Sequence, residues 1–255
     1  MIVDSMTYDD ILKVYWEDKK LVNHKIEAGN KFYSRMLKNA RLKDRIYYEP
    51  MRFKSSRGIN YVLMFFNLDE TVPGKNRLGC AYYAWFIKNR GFYAITLTQL
   101  NRSMYHNTIY HPHFFDRYRE RFLKDKSISK QEVIHTFLTR NTKSGTGHIP
   151  SEKYPEDYWM AMKDGLCLCN MLGGTLIEAK TFITWDMAGV DQKEIAFTGM
   201  QSLLKQGFDI ALPSEDFEEF EKEDIDDEQE RTKRIHARGR PFDRKVGKRL
   251  SRRGR

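Results

Sequence analysis

A row of basic side chains lies on a segment with helical spacing. His113, Arg117 and Arg121 follow one another at intervals of four residues, so a helix would align an imidazole and two guanidinium groups. Two arginines at this spacing repel each other, and a bound phosphate group would remove the repulsion. The alternative is that Asp116 and Glu120 neutralise the arginines along the helix surface. The spacing therefore indicates either a phosphate-binding row or a charge-paired surface.

Glu178 and Lys180 form a second candidate pair, on a predicted strand. In a meander with two-residue turns, the register places both side chains on an apolar face beside Cys167 and Cys169. Ionised groups on an apolar face are costly unless they pair or take part in chemistry. Two interpretations stay open. The pair is an ion pair at the sheet margin, or its carboxylate and amine have pKa values shifted for acid–base work.

The sequence does not favour a metal site. Glu178-Ala-Lys180 matches the acid-x-Lys pattern of metal-dependent nucleases, but those sites need a second acid on the neighbouring strand. The predicted register has Cys167 and Cys169 there instead. His106, His111 and His113 could suggest zinc together with Cys167 and Cys169, but a His-x-His segment that contains a proline, with no spaced Cys-x-x-Cys pair, is a poor zinc pattern. We therefore expect neither a metal ion nor another cofactor.

The elements that must position these residues form an α+β pattern. Acidic residues three positions after Thr7 and Ser129 indicate that these two residues cap helices. The predicted elements are a helical stretch over 7–45 with a break at Gly29, a strand over 59–67, a hairpin of Cys80–Ile87 and Phe92–Thr98, helices over about 112–124 and 129–140, a meander over 158–184 with turns at Asp164-Gly165 and Gly173-Gly174, and a helix over about 191–205. This pattern predicts an antiparallel sheet flanked by helices. The expected regions are an N-terminal helical region (1–58), an α+β core (59–210) and a tail (211–255).

Charge is divided sharply along the tail. Residues 215–230 carry a net charge of −10 and residues 231–255 carry +11, which leaves +8 for residues 1–214 out of the total of +9. Both blocks contain few apolar residues that could form a core, so we predict a disordered tail that is acidic and then basic. The basic block would bind nucleic acid by releasing counterions, with little sequence specificity; the alternative is a solubilising tail. The candidate nucleic-acid-binding residues are Arg231, Lys233, Arg234, Arg238, Arg240, Arg244, Lys245, Lys248, Arg249, Arg252, Arg253 and Arg255.

Composition excludes several classes of protein. Apolar residues make up 40% of the 255-residue chain, which is enough to build a core. No apolar run reaches the roughly 18 residues that a membrane span needs, and the first residues do not resemble a signal peptide. Three cysteines cannot form a disulfide framework, which suits a reducing compartment. We therefore expect a cytoplasmic protein without a membrane partner. Its oligomeric state is not indicated.

One segment resembles the RelE/ParE-like toxin fold. Residues from about 90 to 186 run as strand, helix, helix and three-stranded meander, which is the order of elements in that fold. The row His113-x-x-x-Arg117-x-x-x-Arg121 precedes Ile128-Ser129 and Glu132-Val133, and small uncharacterised relatives of the fold carry a similar motif. The chain differs from a typical toxin in its greater length, its N-terminal helical part, its extra strands and its charged tail.

The resemblance implies a compact domain similar to mRNA endonucleases that use metal-free acid–base chemistry. It implies that His113 is the acid or base, that Arg117 and Arg121 bind the scissile phosphate, and that Glu178 and Lys180 assist from the sheet. We therefore expect a protein that binds nucleic acid, with RNA favoured over DNA, and acts as a metal-independent endoribonuclease. The alternative is a non-enzymatic scaffold, virion-assembly or regulatory protein whose basic tail docks on nucleic acid or on an acidic protein partner.

Overall fold

The structure is a computed structural model, and it describes residues 2–37, 48–68, 77–99, 105–141, 145–148, 157–173 and 175–205. All of these residues belong to one unit, Met1–Ala211. They form a mostly antiparallel sheet flanked by helices, which confirms the predicted α+β class. The tail, with its acidic and basic blocks, lies outside the described residues, so its disorder stays a prediction.

The described strands form one sheet, in which every neighbouring pair but one is antiparallel. In chain order the strands are β1 (Met51–Lys54), β2 (Asn60–Leu68), β3 (Arg77–Lys88), β4 (Gly91–Gln99), β5 (Tyr105–Tyr110), β6 (Gly145–His148), β7 (Asp157–Met162), β8 (Gly165–Leu172) and β9 (Leu176–Ile183). Across the sheet their order is β1-β2-β3-β4-β5-β9-β8-β7-β6. The parallel pair is β5 and β9, at the centre of the sheet. Their carboxyl ends therefore meet at the same edge, which is where α/β sheets commonly bind ligands.

Helices occupy both faces of this sheet. In the described ranges they are α1 (Tyr8–Glu17), α2 (Lys19–Leu37), α3 (Pro112–Tyr118), α4 (Lys130–Arg140) and α5 (Val190–Lys205); a π-helical turn (Arg119–Leu123) continues α3, and a 3₁₀ turn (Trp185–Met187) precedes α5. Both predicted N-caps are confirmed. The Thr7 hydroxyl accepts a hydrogen bond from the Asp10 N–H (3.2 Å), and the Ser129 hydroxyl accepts one from the Glu132 N–H (3.2 Å). These caps satisfy backbone donors that the first helical turn leaves unpaired.

Two apolar cores lie on opposite faces of the sheet. One is covered by α3 and α4, whose Phe114, Tyr118 and Phe137 are completely buried. The other is covered by α1 and α2, and it includes Ile11 and Tyr15. We call these two surfaces of the sheet the α3/α4 face and the α1/α2 face. Both are needed because β2 and β4 place apolar side chains on both sides of the sheet.

The last helix, α5, shares the α1/α2 face. A Cβ atom at Gly199 of α5 would lie 2.6 Å from the indole ring of Trp159, so the helix packs directly on β7. Trp159 alternates along β7 with Met160, which belongs to the core of the α3/α4 face. Trp159 therefore lies on the α1/α2 face. The central strands β5, β9 and β8 lie between the strands that α1 and α2 cover and the strand that α5 covers.

The break between the N-terminal helices was predicted at the wrong residue. It falls at Asp18, whose buried carboxylate accepts hydrogen bonds from Arg57 (2.9 Å) and Tyr61 (3.2 Å). Gly29 lies inside α2, where a Cβ atom would approach the ring of Phe65 to 2.2 Å. This glycine permits close packing of helix on sheet instead of ending the helix. The last part of the predicted helical stretch lies outside the described residues.

The predicted hairpin is confirmed, and a strand after it was missed. Asn89 and Arg90 connect β3 to β4 with φ angles of 49° and 60°, which is typical of a type I′ turn. The strand that directly precedes α3 is β5, not the predicted Phe92–Thr98. It carries the polar residues Asn107 and Thr108, so its sequence does not show a strand pattern, but pairing with β4 and β9 buries it.

The meander has the predicted order of strands but a different register. The turn between β7 and β8 is Lys163-Asp164 and not Asp164-Gly165, because Met162 pairs with Gly165. This shifts the pairing by two residues, so the faces of these two strands stay as predicted. Between β8 and β9 the loop has three residues, 173–175, and Leu172 pairs with Leu176. That change moves the pairing by one residue and reverses the faces near the turn.

The reversal corrects the predicted surroundings of Glu178. Its partner in register is Asn170, not Cys169, and both Asn170 and Glu178 lie on the α1/α2 face. Cys167 and Cys169 belong to the core of the α3/α4 face, on the other side of the sheet. Glu178 therefore does not share an apolar surface with the two cysteines.

Candidate active site

The candidate site lies where the parallel strands β5 and β9 meet. Glu178 is level with Ile109, and His111 continues the pairing beyond β5 by donating its N–H to the carbonyl oxygen of Ala179 (3.1 Å). Ile109, His111 and Glu178 therefore lie on the same face of the sheet, the α1/α2 face. Tyr93 of β4 adds its ring to this surface, with its centroid 4.9 Å from that of His111.

Glu178 is the centre of the site, and its side chain is only 12% exposed. The Tyr8 hydroxyl donates a hydrogen bond to Oε1 of Glu178 (2.9 Å). His111 Nε2 lies 3.9 Å from the same oxygen, and Lys180 Nζ lies 3.5 Å from Oε2. The capping box at Thr7 fixes the start of α1 and with it Tyr8. One carboxylate therefore contacts a phenol, an imidazole and an amine that come from three separate segments.

The pKa values of Tyr8 and His111 move in opposite directions. Burial raises the pKa of Tyr8, and the hydrogen bond and charge of Glu178 raise it further, so the phenol stays a hydrogen-bond donor. Burial lowers the pKa of His111 below its usual value of about 6.5, although the charge of Glu178 opposes this. Positive charge from His113, Lys180 and Lys88 lowers the pKa of His111 further. His111 is therefore neutral near pH 7 and can accept a proton.

Lys180 reaches the site because of a bulge in β9. Leu168 pairs with Thr181, and the next residue Cys169 pairs with Ala179, which leaves Lys180 as the extra residue. Such bulges redirect a side chain and are frequent beside active sites. The Asn170 amide is oriented so that its nitrogen donates a hydrogen bond to the carbonyl oxygen of Cys169 (3.1 Å). Its oxygen then accepts a hydrogen bond from Lys180 Nζ (2.9 Å). The Lys180 side chain is 52% exposed, so it contacts both Glu178 and solvent.

The three residues of the predicted row, His113, Arg117 and Arg121, form contacts with groups outside the candidate site. Arg117 donates to His113 Nε2 (3.3 Å) and pairs with Glu120 (2.7 Å), which is the charge-paired alternative. Arg121, in the π-helical turn, donates to the carbonyl oxygen of Phe182. Among the described side chains, no hydrogen bond or ion pair joins any of these three residues to Glu178 or Lys180. The structure thus pairs Glu178 with Lys180 and gives Arg117 and Arg121 other partners.

Three members of the site were not predicted as such: Tyr8, His111 and Asn170. Tyr8 is distant in sequence and joins the site only through the packing of α1. Asn170 enters through the changed register. His111 appeared only as a poor zinc ligand, although a histidine directly after a strand and before a proline is a recognisable signal once β5 is known.

The cysteines have no place in the site. Cys167 and Cys169 are buried and free, and burial raises the pKa of both thiols. Burial also raises the pKa of Cys80, to about 11. Cys167 and Cys169 belong to the core of the α3/α4 face, and Cys80 packs against the core of the α1/α2 face. Within the described ranges no group of three or more His, Cys, Asp or Glu residues could hold a metal ion.

Comparison of the chain with protein-family models, curated proteins and solved structures finds no match. None of the described helices is long and apolar enough to cross a membrane. The twelve tail cations predicted to bind nucleic acid lie outside the described residues. Function is therefore inferred from the side chains around Glu178.

Proposed function

We propose that the protein is a nucleic-acid-binding endoribonuclease that works without a metal ion, with Glu178, His111 and Lys180 at its active site. The observation that carries this proposal is the grouping of one buried carboxylate with an imidazole at 3.9 Å and an amine at 3.5 Å. An imidazole that is neutral near pH 7 and an amine beside it suit proton transfer and charge stabilisation on an anionic substrate.

RNA carries its own nucleophile, the 2′-hydroxyl group, so its cleavage needs only a base, an acid and a cation. His111 takes the proton from the 2′-oxygen as this oxygen attacks phosphorus. The bond to the 5′-oxygen breaks, and Lys180 donates a proton to that leaving oxygen. The products are a 2′,3′-cyclic phosphate and a free 5′-hydroxyl. Solvent exchange then returns His111 and Lys180 to their starting states.

Glu178 has a positioning role in this scheme. Tyr8 holds the carboxylate at 2.9 Å, and the carboxylate orients His111 and stabilises the imidazolium that forms during the reaction. Lys180 and Lys88 add positive charge around the site, which favours a phosphodiester. The net charge of +8 over residues 1–214 also attracts an anionic substrate. We place the protein in the cytoplasm because its three cysteines are free thiols.

Cleavage of end-labelled single-stranded RNA in EDTA tests the proposal. The full chain should cut RNA, and His111→Gln should lower the rate by about 10²-fold or more. His24→Gln is the matched control, because His24 is an exposed histidine on α2. A substrate with 2′-deoxyribose at every position should bind but stay uncut.

The same assay separates this proposal from the RelE-like interpretation of α3. If His113→Gln and Arg117→Gln abolish cleavage while His111→Gln does not, the chemistry lies on α3. Binding without any cleavage would favour the alternative, a docking protein whose block of +11 over 231–255 carries the affinity. Truncation to residues 1–214 tests that alternative directly, since it should then remove binding.

A further inference from the structure

A cleft lies on the opposite face of the sheet from Glu178. It has a volume of about 570 Å³, within the range of about 300–1,000 Å³ that small-molecule sites occupy. Strands β1 to β3 form its floor and the start of α4 forms one wall. Val62 and Tyr83, which line the cleft, belong to the core of the α3/α4 face, so the cleft is separated from Glu178 by the sheet itself.

The floor of this cleft combines a flat aromatic ring with a fixed polar pair. Trp85 stacks on Phe92 at 5.7 Å between ring centroids, which holds the indole in place while leaving it partly exposed. Beside it, the buried Tyr83 hydroxyl bonds to His135 Nδ1 at 2.8 Å. Burial raises the pKa of Tyr83 and lowers the pKa of His135, so near pH 7 the two form a neutral hydrogen-bonded pair. A planar ligand on Trp85 would therefore meet a rigid surface.

The rim of the cleft is cationic. Arg52 and Lys54 alternate with inward residues along β1, so both project toward the α4 side, and both are exposed. Arg52 pairs with Glu49 at 3.2 Å, but this acid is 85% exposed, so the ion pair is weak and easily replaced. The carboxylate among the lining residues of the cleft is that of Glu132. Two cations at the edge of an aromatic floor suit an anion attached to a flat ring.

We propose that this cleft binds one nucleotide, with its base stacked on Trp85 and its phosphate held by Arg52 and Lys54. Asn60 and Gln131 also line the cleft and offer amide groups to the base edge, although the Asn60 amide nitrogen also donates to the carbonyl oxygen of Trp85 (3.4 Å). A free nucleoside monophosphate and a nucleotide within an RNA strand offer this same chemistry. The proposal does not depend on the endoribonuclease activity, because the cleft and Glu178 lie on different faces.

Calorimetric titration of the full chain with nucleoside 5′-monophosphates and with inorganic phosphate tests this site. A monophosphate should bind, and phosphate alone should bind at least tenfold more weakly because it lacks a base to stack. Arg52→Gln should weaken binding about tenfold through loss of a charge-assisted contact, with no loss of fold because Arg52 is exposed. Lys126→Gln, an exposed lysine outside the cleft, is the matched control. Trp85→Leu should weaken monophosphate binding but not change the affinity for phosphate.

The outcomes distinguish the two sources of the ligand. Binding of a short RNA but of no monophosphate, weakened by Arg52→Gln, would show that the occupant is a nucleotide within a strand. No binding of either ligand, or binding that Arg52→Gln and Trp85→Leu leave unchanged, would overturn the proposal. The titrations are repeated in the Glu178→Gln background, where the affinity should not change. An affinity lost there would assign the ligand to the other face.

Discussion

Asp164 and Glu178 are both buried carboxylates, but their partners satisfy them to different degrees. Asp164 accepts two hydrogen bonds from Arg140 (2.9 and 2.8 Å), one from Tyr118 (2.7 Å) and one from the side chain of Asn141 (3.0 Å). Glu178 accepts one short bond, from Tyr8, and its other neighbours are at 3.5 Å or more. Asp164 has no capacity left for a ligand, whereas Glu178 does.

The difference separates a structural carboxylate from one that can do chemistry. Asp164 lies in the turn between β7 and β8 and ties it to α3 and to the end of α4. Burial alone would raise the pKa of Asp164, but the hydrogen bonds from Arg140, Tyr118 and Asn141 outweigh it, so the pKa is lowered. Incomplete satisfaction of a buried group has an energetic cost and is typical of functional sites.

Replacement of Asp164 should have the largest effect on stability. Asp164→Asn removes the buried charge that Arg140, Tyr118 and Asn141 hydrogen-bond, and it should lower the free energy of unfolding by about 2–3 kcal/mol. Urea denaturation followed by circular dichroism measures the change. Asp116→Asn, at a partly exposed acid on α3, should change stability by less than about 0.5 kcal/mol. Equal effects of the two substitutions would contradict the structural role of Asp164.

Replacement of Glu178 should have the opposite balance of effects, with a large loss of activity and a small loss of stability. Glu178→Gln keeps the shape of the side chain but removes the charge that orients His111, so RNA cleavage should fall by about 10²-fold or more. Its effect on the free energy of unfolding should stay within about 1 kcal/mol, because Lys180 is half exposed. Glu194→Gln, at an exposed acid on α5, is the control and should leave both quantities unchanged.

The two sites should also differ in their dependence on pH. The pKa of Asp164 is lower in the folded chain than in the unfolded chain, so its stabilising contribution is complete above about pH 4 and is lost as the pH falls. The stability difference between wild type and Asp164→Asn should therefore shrink toward pH 3. Cleavage should instead fall as the pH drops through the lowered pKa of His111, because a protonated imidazole cannot act as a base. Cleavage that does not fall at any pH below about 6.5 at which the chain stays folded would argue against His111 as the base.

The smallest expected effect is that of Tyr8→Phe. This change removes the hydrogen bond to Glu178 but keeps the ring, so it should cost about 1 kcal/mol of stability and lower cleavage up to about tenfold. Parallel denaturation and rate measurements on the variant test both values. Tyr48→Phe is a matched control for the loss of a phenol group away from the site.

Local rules predicted much of the fold, and their failures have physical reasons. The caps at Thr7 and Ser129 and the turn at Asn89-Arg90 depend on neighbouring residues, so their patterns are visible in sequence. The strand β5 was missed because the partners that bury its polar residues are distant in sequence. The loop after Leu172 was predicted one residue too short, and one residue is enough to reverse a strand's faces.

The candidate site was predicted only in part, for similar reasons. Glu178 and Lys180 were recognised as a pair, because an acid and an amine two residues apart are adjacent in any register. Their partners Tyr8 and His111 come from other segments and meet Glu178 only through the packing of α1 and the pairing of β5 with β9. The bulge at Lys180 cannot be deduced from spacing, since it depends on how β8 aligns with β9.

The most direct test of the central claim is identification of the products when the full chain acts on a single-stranded RNA in EDTA. The proposed reaction gives a 2′,3′-cyclic phosphate on one fragment and a 5′-hydroxyl on the other, with the yield reduced about 10²-fold or more in His111→Gln. Mass spectrometry of the fragments distinguishes these ends. Intact RNA, or fragments with other ends and a yield that His111→Gln does not change, would contradict the assignment of the active site to Glu178, His111 and Lys180.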